Sequence, residues 1–224
     1  MKTTKKTITF FLFVLTFLTV TESFCQFQKF GIKAGLNFSS VSIGEEFDPY
    51  PGKENKLGFN IFASYDLLNL KNLSLSAETG YIQKGFKYKA VVTNAFGEII
   101  GEETIEHKLN YLDLSVNAKF MLRYKSVSPY ISITPTAGFF LGNSMNISGA
   151  FDSLFQNYKD PVLDSLNSVS FGIKLGAGVE LSGLIKKVPL TFEVRYNPDI
   201  IKSYDNYGVK LKNNTIEINL GAKF

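Results

Sequence analysis

The chain has 224 residues, 24 Lys and Arg against 20 Asp and Glu, a formal charge of +4, and a mean hydropathy of +0.04. So weak a bias, with no basic cluster beyond the first residues, excludes a nucleic-acid binder. Its 21 Phe, 11 Tyr and 18 Gly, without long apolar runs, point to a single all-β domain.

The first residues read as an export signal. Lys2, Lys5 and Lys6 precede the apolar stretch Ile8 to Val20, and the small residues Ser23 and Cys25 end a cleavable segment before Gln26. The apolar stretch is shorter than the ~20 residues a spanning helix requires. A lipid-anchored start at Cys25 is the alternative, but Glu22, Ser23 and Phe24 make a poor lipidation box. The expected division is therefore a cleaved signal over residues 1–25 and one domain over 26–224. Cleavage removes the only cysteine, and with it disulfide and thiolate chemistry.

From there the chain is a series of segments with period-2 alternation, the signature of strands with one apolar and one polar face. Phe30, Ile32, Ala34, Leu36 and Phe38 alternate with Gly31, Lys33, Gly35, Asn37 and Ser39; a polar stretch with Pro49, Pro51 and Gly52 follows. The second segment runs from Leu57 to Leu67, and after the short connection Leu68–Asn72 the third runs from Leu73 to Lys84. Gly85 to Lys108 is long and contains Asn94-Ala95-Phe96-Gly97, a turn flanked by β-prone residues that extends the hairpin past the membrane. The fourth segment spans Tyr111–Phe120, and Met121–Ser128 is short; the fifth spans Tyr130–Leu141. In the long stretch Gly142–Asn167, the spacing of Phe151, Leu154, Phe155 and Tyr158 predicts a short amphipathic helix. The sixth segment, Val169–Leu181, alternates most regularly. Ser182–Pro189 is short, the seventh segment is Leu190–Asn197, Pro198–Asn214 is long, and Thr215–Phe224 closes the chain.

Eight strands with connections alternating long and short put every long loop on one side and every short turn on the other. A membrane barrel requires that arrangement, and a sandwich does not. The fold expected is an all-β, eight-stranded antiparallel up-and-down transmembrane β-barrel. On the apolar face only Thr79 and Pro135 depart from hydrocarbon residues, so that face meets lipid. The polar face lines an interior that eight strands leave just wide enough for side chains to fill. It carries Lys33, Lys84, Lys119, Lys174, Arg195 and Lys223 against Asp66, Glu78, Asp113, Glu180, Glu193 and Glu217, a balanced set read as structural ion pairs. With the first strand running outward, Phe38, Phe59, Tyr81, Phe139, Phe171 and Tyr196 fall at the outer rim. Phe30, Tyr65, Phe120 and Phe224 fall at the inner rim, giving two aromatic girdles.

No catalytic, cofactor or metal constellation emerges. His107, the only histidine, stands beside Glu106 and near Asp113, which allows an acid–base pair at the rim. No nucleophile accompanies it at fixed spacing, and a solvated loop histidine is the reading preferred. Glu98, Glu102, Glu103 and Glu106, with Glu45, Glu46 and Asp48, are acidic but lack cation-loop spacing. Gly172, Gly176 and Gly178 lie in a strand with no helix following, so they are lumen positions where neighbouring side chains need room.

The opening FGIKAGLNFS, the central LNYLDLSVNAKF, the arm PYISITPTAGFFLG and RYNPD in the seventh segment together resemble the PorT-like outer-membrane β-barrel family of Bacteroidota-type bacteria. The likeness covers about Phe27 to Phe224. It implies a cell outer membrane location, surrounding lipid as a partner, and insertion by the barrel insertion machinery. It carries over no catalytic or binding residues; one branch of the family serves type IX protein secretion. The expected function is a non-enzymatic barrel presenting long external loops for structural or interaction roles with envelope proteins. An accessory secretion subunit, a rim enzyme and a small pore are the alternatives.

Overall fold

The computed structural model describes residues 30–43, 52–124, 126–148, 166–185, 188–200, 204–206 and 209–224. The export signal at 1–25, the amphipathic helix at 151–158, and Glu45, Glu46 and Asp48 lie outside the described residues. Among the described residues there are nine strands: β1 Phe30–Ile43, β2 Glu54–Asn69, β3 Leu73–Thr93, β4 Ile99–Met121, β5 Val127–Ser148, β6 Val169–Ile185, β7 Val188–Pro198, β8 Tyr204–Asn206 and β9 Val209–Lys223. Each of β1 to β7 pairs antiparallel with its successor, except that β7 passes over β8 to pair with β9. β9 then pairs with β1 from Gly31↔Lys223 to Ile43↔Leu211 and closes the sheet. Among the described residues, β8 pairs with the outer end of β9 alone. The result is an eight-stranded up-and-down barrel with one short additional strand at its outer rim. Closure is what hydrocarbon demands, because a backbone group facing lipid unpaired costs several kcal/mol.

Burial is inverted relative to a water-soluble domain over the membrane-crossing part. Leu36, Ile61, Ile133, Leu175 and Leu220 are exposed on the outer wall, while Lys33, Asn37, Glu78, Lys174 and Arg195 are buried inside.

The strands run well beyond the segments read from alternation. β3 and β4 have 21 and 23 residues, against ~10 needed to cross a bilayer, and pair as far as Thr93↔Ile99. Ser40–Ile43, Gly142–Ser148 and Val209–Asn214, placed in loops by the sequence, are strand. The reason is a reversal of phase. In β4 the outward residues Leu112, Leu114 and Val116 are apolar, but further out Ile105 and Leu109 point inward and are buried. β3 changes the same way, from outward Ala77 and Tyr81 to inward Phe86 and Val92. Where lipid ends, the barrel continues as an ordinary apolar-inside sheet, and the period-2 pattern slips by one residue.

Two glycines set how closely the strands approach. A Cβ at Gly35 would overlap the Ile218 carbonyl and Asn219; one at Gly80 would overlap the Ile61 carbonyl and the Phe62 ring. The obstacles are largely backbone and cannot yield. Gly80→Leu is expected to cost more than the 1–3 kcal/mol typical of overpacking. In heat-modifiability gels it should sharply lower the folded fraction, while Gly97→Ala, in open space at the hairpin turn but at φ +82°, should cost only the ~1–2 kcal/mol of left-handed backbone strain and lower that fraction far less.

Candidate functional site: the ion-paired lumen and the projecting rim

The twelve charged residues expected in the lumen are all on the inner face. All are buried except Glu180, which is half-buried near the inner mouth. They come together as a stack of clusters rather than isolated pairs. At the inner mouth, Lys223 Nζ lies 2.9 Å from Asp66 and 4.0 Å from Glu180. Above it is the central cluster. Arg195 donates to both Glu78 oxygens at 2.8 and 3.1 Å and lies 2.9 Å from Glu193. Lys33 bridges the same two carboxylates at 2.6 and 3.2 Å. Asn117 Nδ2 donates to Glu78 at 2.7 Å and Ser132 Oγ to Glu193 at 3.1 Å. Next, Lys174 Nζ lies 2.9 Å from Asp113 and 3.2 Å from Glu217, with its ammonium 4.4 Å from the Phe62 ring centre.

Lys119 differs from the expectation. Among the described residues it has no carboxylate within ion-pair distance, because Lys33 and Arg195 occupy Glu78 and Glu193. Its ammonium instead lies over the Tyr130 ring at 4.6 Å, a cation–π contact.

Sequence reasoning missed two buried charged residues of the barrel. Asp199, read as loop, accepts from Lys84 at 3.1 Å and from Asn213 Nδ2 at 2.8 Å. Its place is fixed by a bridge to Gly172. The signal available was RYNPD itself, which continues the alternation of β7 by one step. Lys56, also read as loop, is buried. Its stem passes Gly85, where a Cβ would meet Cδ at 3.1 Å, and its ammonium donates to Gln83 Oε1 and the Leu57 carbonyl, each at 3.0 Å. Gly85 has φ +134°, a conformation that glycine adopts freely.

Above the ions sits an apolar layer of Val41, Phe62, Ile82, Phe86, Leu109, Tyr111 and Leu211. His107 belongs beside this layer and is not a solvated loop residue. It is buried, 5.0 Å from the Phe86 ring centre and stacked on Tyr88 at 5.7 Å with 13° between planes. Pairing of β3 with β4 past position 107 turns its side chain inward. Glu106, the preceding residue, therefore faces the other way, 3.7 Å from Lys56 and 3.9 Å from Lys108.

On the outer wall Phe38, Phe59, Phe139, Phe171 and Tyr196 are exposed toward the outer rim. Tyr81 is half-buried, donating its hydroxyl to Asn110 Oδ1 at 2.7 Å. Phe30, Tyr65, Phe120 and Phe224 are exposed toward the inner rim, where Phe30 pairs with Tyr65 and accepts the Phe224 amide at 2.7 Å. Beyond the outer rim the β3–β4 hairpin continues twelve residues past Tyr81 to Thr93, about 40 Å along the strand. Asn94 organises its turn. The Asn94 side-chain oxygen accepts from the amides of Phe96 and Glu98 at 2.9 and 3.0 Å, and its Nδ2 donates to Glu98 at 2.8 Å. Phe96 is thereby held 90% exposed, with Ile99 beside it 70% exposed.

A family model described as the outer membrane protein beta-barrel domain matches residues 10–224. The chain belongs to that family. It is a protein of the cell outer membrane, with its belt in membrane lipid. No curated protein sequence matches it. Among solved structures, Neisserial surface protein A is 16% identical, over 87% of this chain and 97% of its own, with a TM-score of 0.44. Ail of Yersinia pestis is 16% identical over 89% and 100%, TM-score 0.42. The protease OmpT of Escherichia coli is 11% identical over 88% and 96%, TM-score 0.46. Likeness this distant lends no weight to any of their activities.

The geometry makes Glu78 the hub of the interior. Glu78→Gln keeps the size and the Asn117 contact but leaves Arg195 and Lys33 short of a charge. It should destabilise the barrel by about 3–5 kcal/mol in urea unfolding followed by circular dichroism. Pairing it with Arg195→Met should recover at least about half of that loss.

Proposed function

We propose that this is a non-enzymatic integral outer-membrane protein whose barrel anchors an outward β-extension that contacts partner molecules. In this reading residues 1–25 are a cleaved export signal and residues 26–224 the mature barrel, inserted through its C-terminal strand. The observation that carries it is the contrast between the two ends of the lumen axis. The interior is filled by clustered charges and sealed above by apolar side chains, whereas the hairpin turn holds an aromatic side chain out in water on an ordered support. A filled lumen favours neither transport nor a substrate cleft, and large exposed apolar residues at a fixed apex favour binding.

The PorT-like resemblance supports a second reading, an accessory subunit of a secretion complex. The short inner connections give a periplasmic partner little surface, so that role would also fall to the outer extension.

Two measurements test the proposal. Planar-bilayer recordings on the purified barrel should give no steady conductance; reproducible channel openings would contradict a filled lumen. Replacing residues 90–103 by Asn-Gly joins the opposed pair Lys89 and Thr104 by a two-residue turn. This trimmed barrel should keep wild-type heat modifiability yet lose at least about tenfold in binding to its partner from envelope preparations, with Phe96→Ser giving a smaller loss. Wild-type binding by both variants would remove the extension from the function.

A further inference from the structure

The lipid-facing wall is not smooth. Strands β2 to β6 share a depression of about 750 Å³ floored by Ala63, Ala77, Thr79, Pro135 and Ala137. Two of these, Thr79 and Pro135, are the positions where the outward face departs from hydrocarbon. Register aligns Ala63, Thr79, Leu114, Ala137 and Phe171 in one row across five strands, with Tyr65, Ala77 and Val116 in the row beside it. The aromatic side chains of Tyr65 and Phe171 stand at its two ends. The depression is continuous with the belt already in contact with membrane lipid, and a void there would forfeit dispersion contacts on every side, so something fills it.

The inner turns indicate what fills it. Lys71, between β2 and β3, and Arg123, between β4 and β5, are both exposed. Arg123 donates across to Asn69 Oδ1 and to the Leu70 carbonyl, and the Met121 amide donates to the Asn72 carbonyl at 2.8 Å, so the two turns form one rim. Leu70, Leu122 and Tyr124 are exposed beside these cations, as interfacial residues are. In sequence the three inner connections, 67–72, 121–128 and 182–189, contain Lys71, Arg123, Lys125, Lys186 and Lys187 and no Asp or Glu. Leu73, paired with Phe120 at this rim, is four residues below Ala77. That is roughly 13 Å of strand, or about 10 Å of depth at the usual tilt, within the reach of one acyl chain.

We propose that this groove, together with Lys71 and Arg123, is a binding site for one anionic phospholipid of the inner leaflet. The acyl chain lies on the small-residue floor, and the phosphate sits against the two cations. Basic groups at a membrane surface favour an anionic headgroup over a zwitterionic one, which brings its own positive charge. A flexible chain can follow the floor between Tyr65 and Phe171; the convex wall of a second barrel is held off by those rings.

Native mass spectrometry of the folded full-length barrel tests this, in mild detergent with phosphatidylglycerol or phosphatidylcholine at equal concentration. One phosphatidylglycerol should be retained per barrel, about tenfold in excess of phosphatidylcholine. Lys71→Gln combined with Arg123→Gln should reduce that preference to about twofold or less. Ala77→Phe, which fills the floor, should lower retention of both lipids about tenfold, and Thr79→Leu serves the same purpose if Ala77→Phe does not yield folded barrel. Equal retention of the two lipids by wild type would overturn the proposal. So would undiminished retention in the folded floor variant, or a dimer that the floor variant abolishes.

Discussion

Glu78 carries an ionised carboxylate inside a cylinder whose outer wall faces hydrocarbon, and everything around it is arranged so that this charge is never alone. Removing such a group from water costs several kcal/mol unless opposite charges and hydrogen bonds surround it. Here the partners come from three parts of the sequence: Lys33 on β1, Asn117 on β4, and Arg195 on β7. The central cluster is complete only when β1 and β7 both stand in the same ring as β3, which is the condition that β9 meets by pairing with each of them. Closure of the backbone and neutralisation of the lumen are thus one event. Either alone would leave buried polar groups unpaired.

Along the barrel axis the same eight strands solve two different solvation problems. Within the lipid belt the outside must be hydrocarbon and the inside polar, so the interior is filled by ion clusters. Beyond it the outside is wet, and Val41, Phe86, Leu109 and Leu211 form an ordinary apolar core. The aromatic members of the junction serve both zones, since Phe62 and Tyr111 present ring faces to the Lys174 and Lys84 ammonium groups below. The apolar layer closes the ion clusters off from the outer side, and the stiff sheet above it carries the hairpin turn away from the membrane. The ion-paired lumen and the projecting hairpin are therefore separate parts of the same strands.

The aromatic and basic residues of the inner rim fit the same division. Phe30, Tyr65 and Phe120 are exposed near the inner ends of their strands, and Lys71 and Arg123 lie exposed in the turns beyond them. The acidic residues Glu98, Glu102 and Glu106 are confined to the opposite, outer side. The chain is polarised by charge as well as by loop length, so each rim faces a different chemical environment.

Strand order, the direction of the apolar face and the inward position of most buried charges were legible in the sequence. Each rests on local alternation, and alternation is fixed by the two-residue repeat of an extended chain. The same locality explains the misreadings. His107, Lys56 and Asp199 sit where the alternation slips phase or a bulge intervenes, and a pattern read on one phase ends there even though backbone pairing continues. Which charge meets which partner could not be read locally either. Lys33 and Glu193 are 160 residues apart, and Lys119 faces Tyr130 only because nearer carboxylates are already shared. The sequence determined that a cylinder forms and which face meets lipid, since these follow from each strand taken singly. The tertiary structure decided how far the strands project, how the ions group and where the outer wall is hollow, because those depend on register between strands, which no single strand encodes.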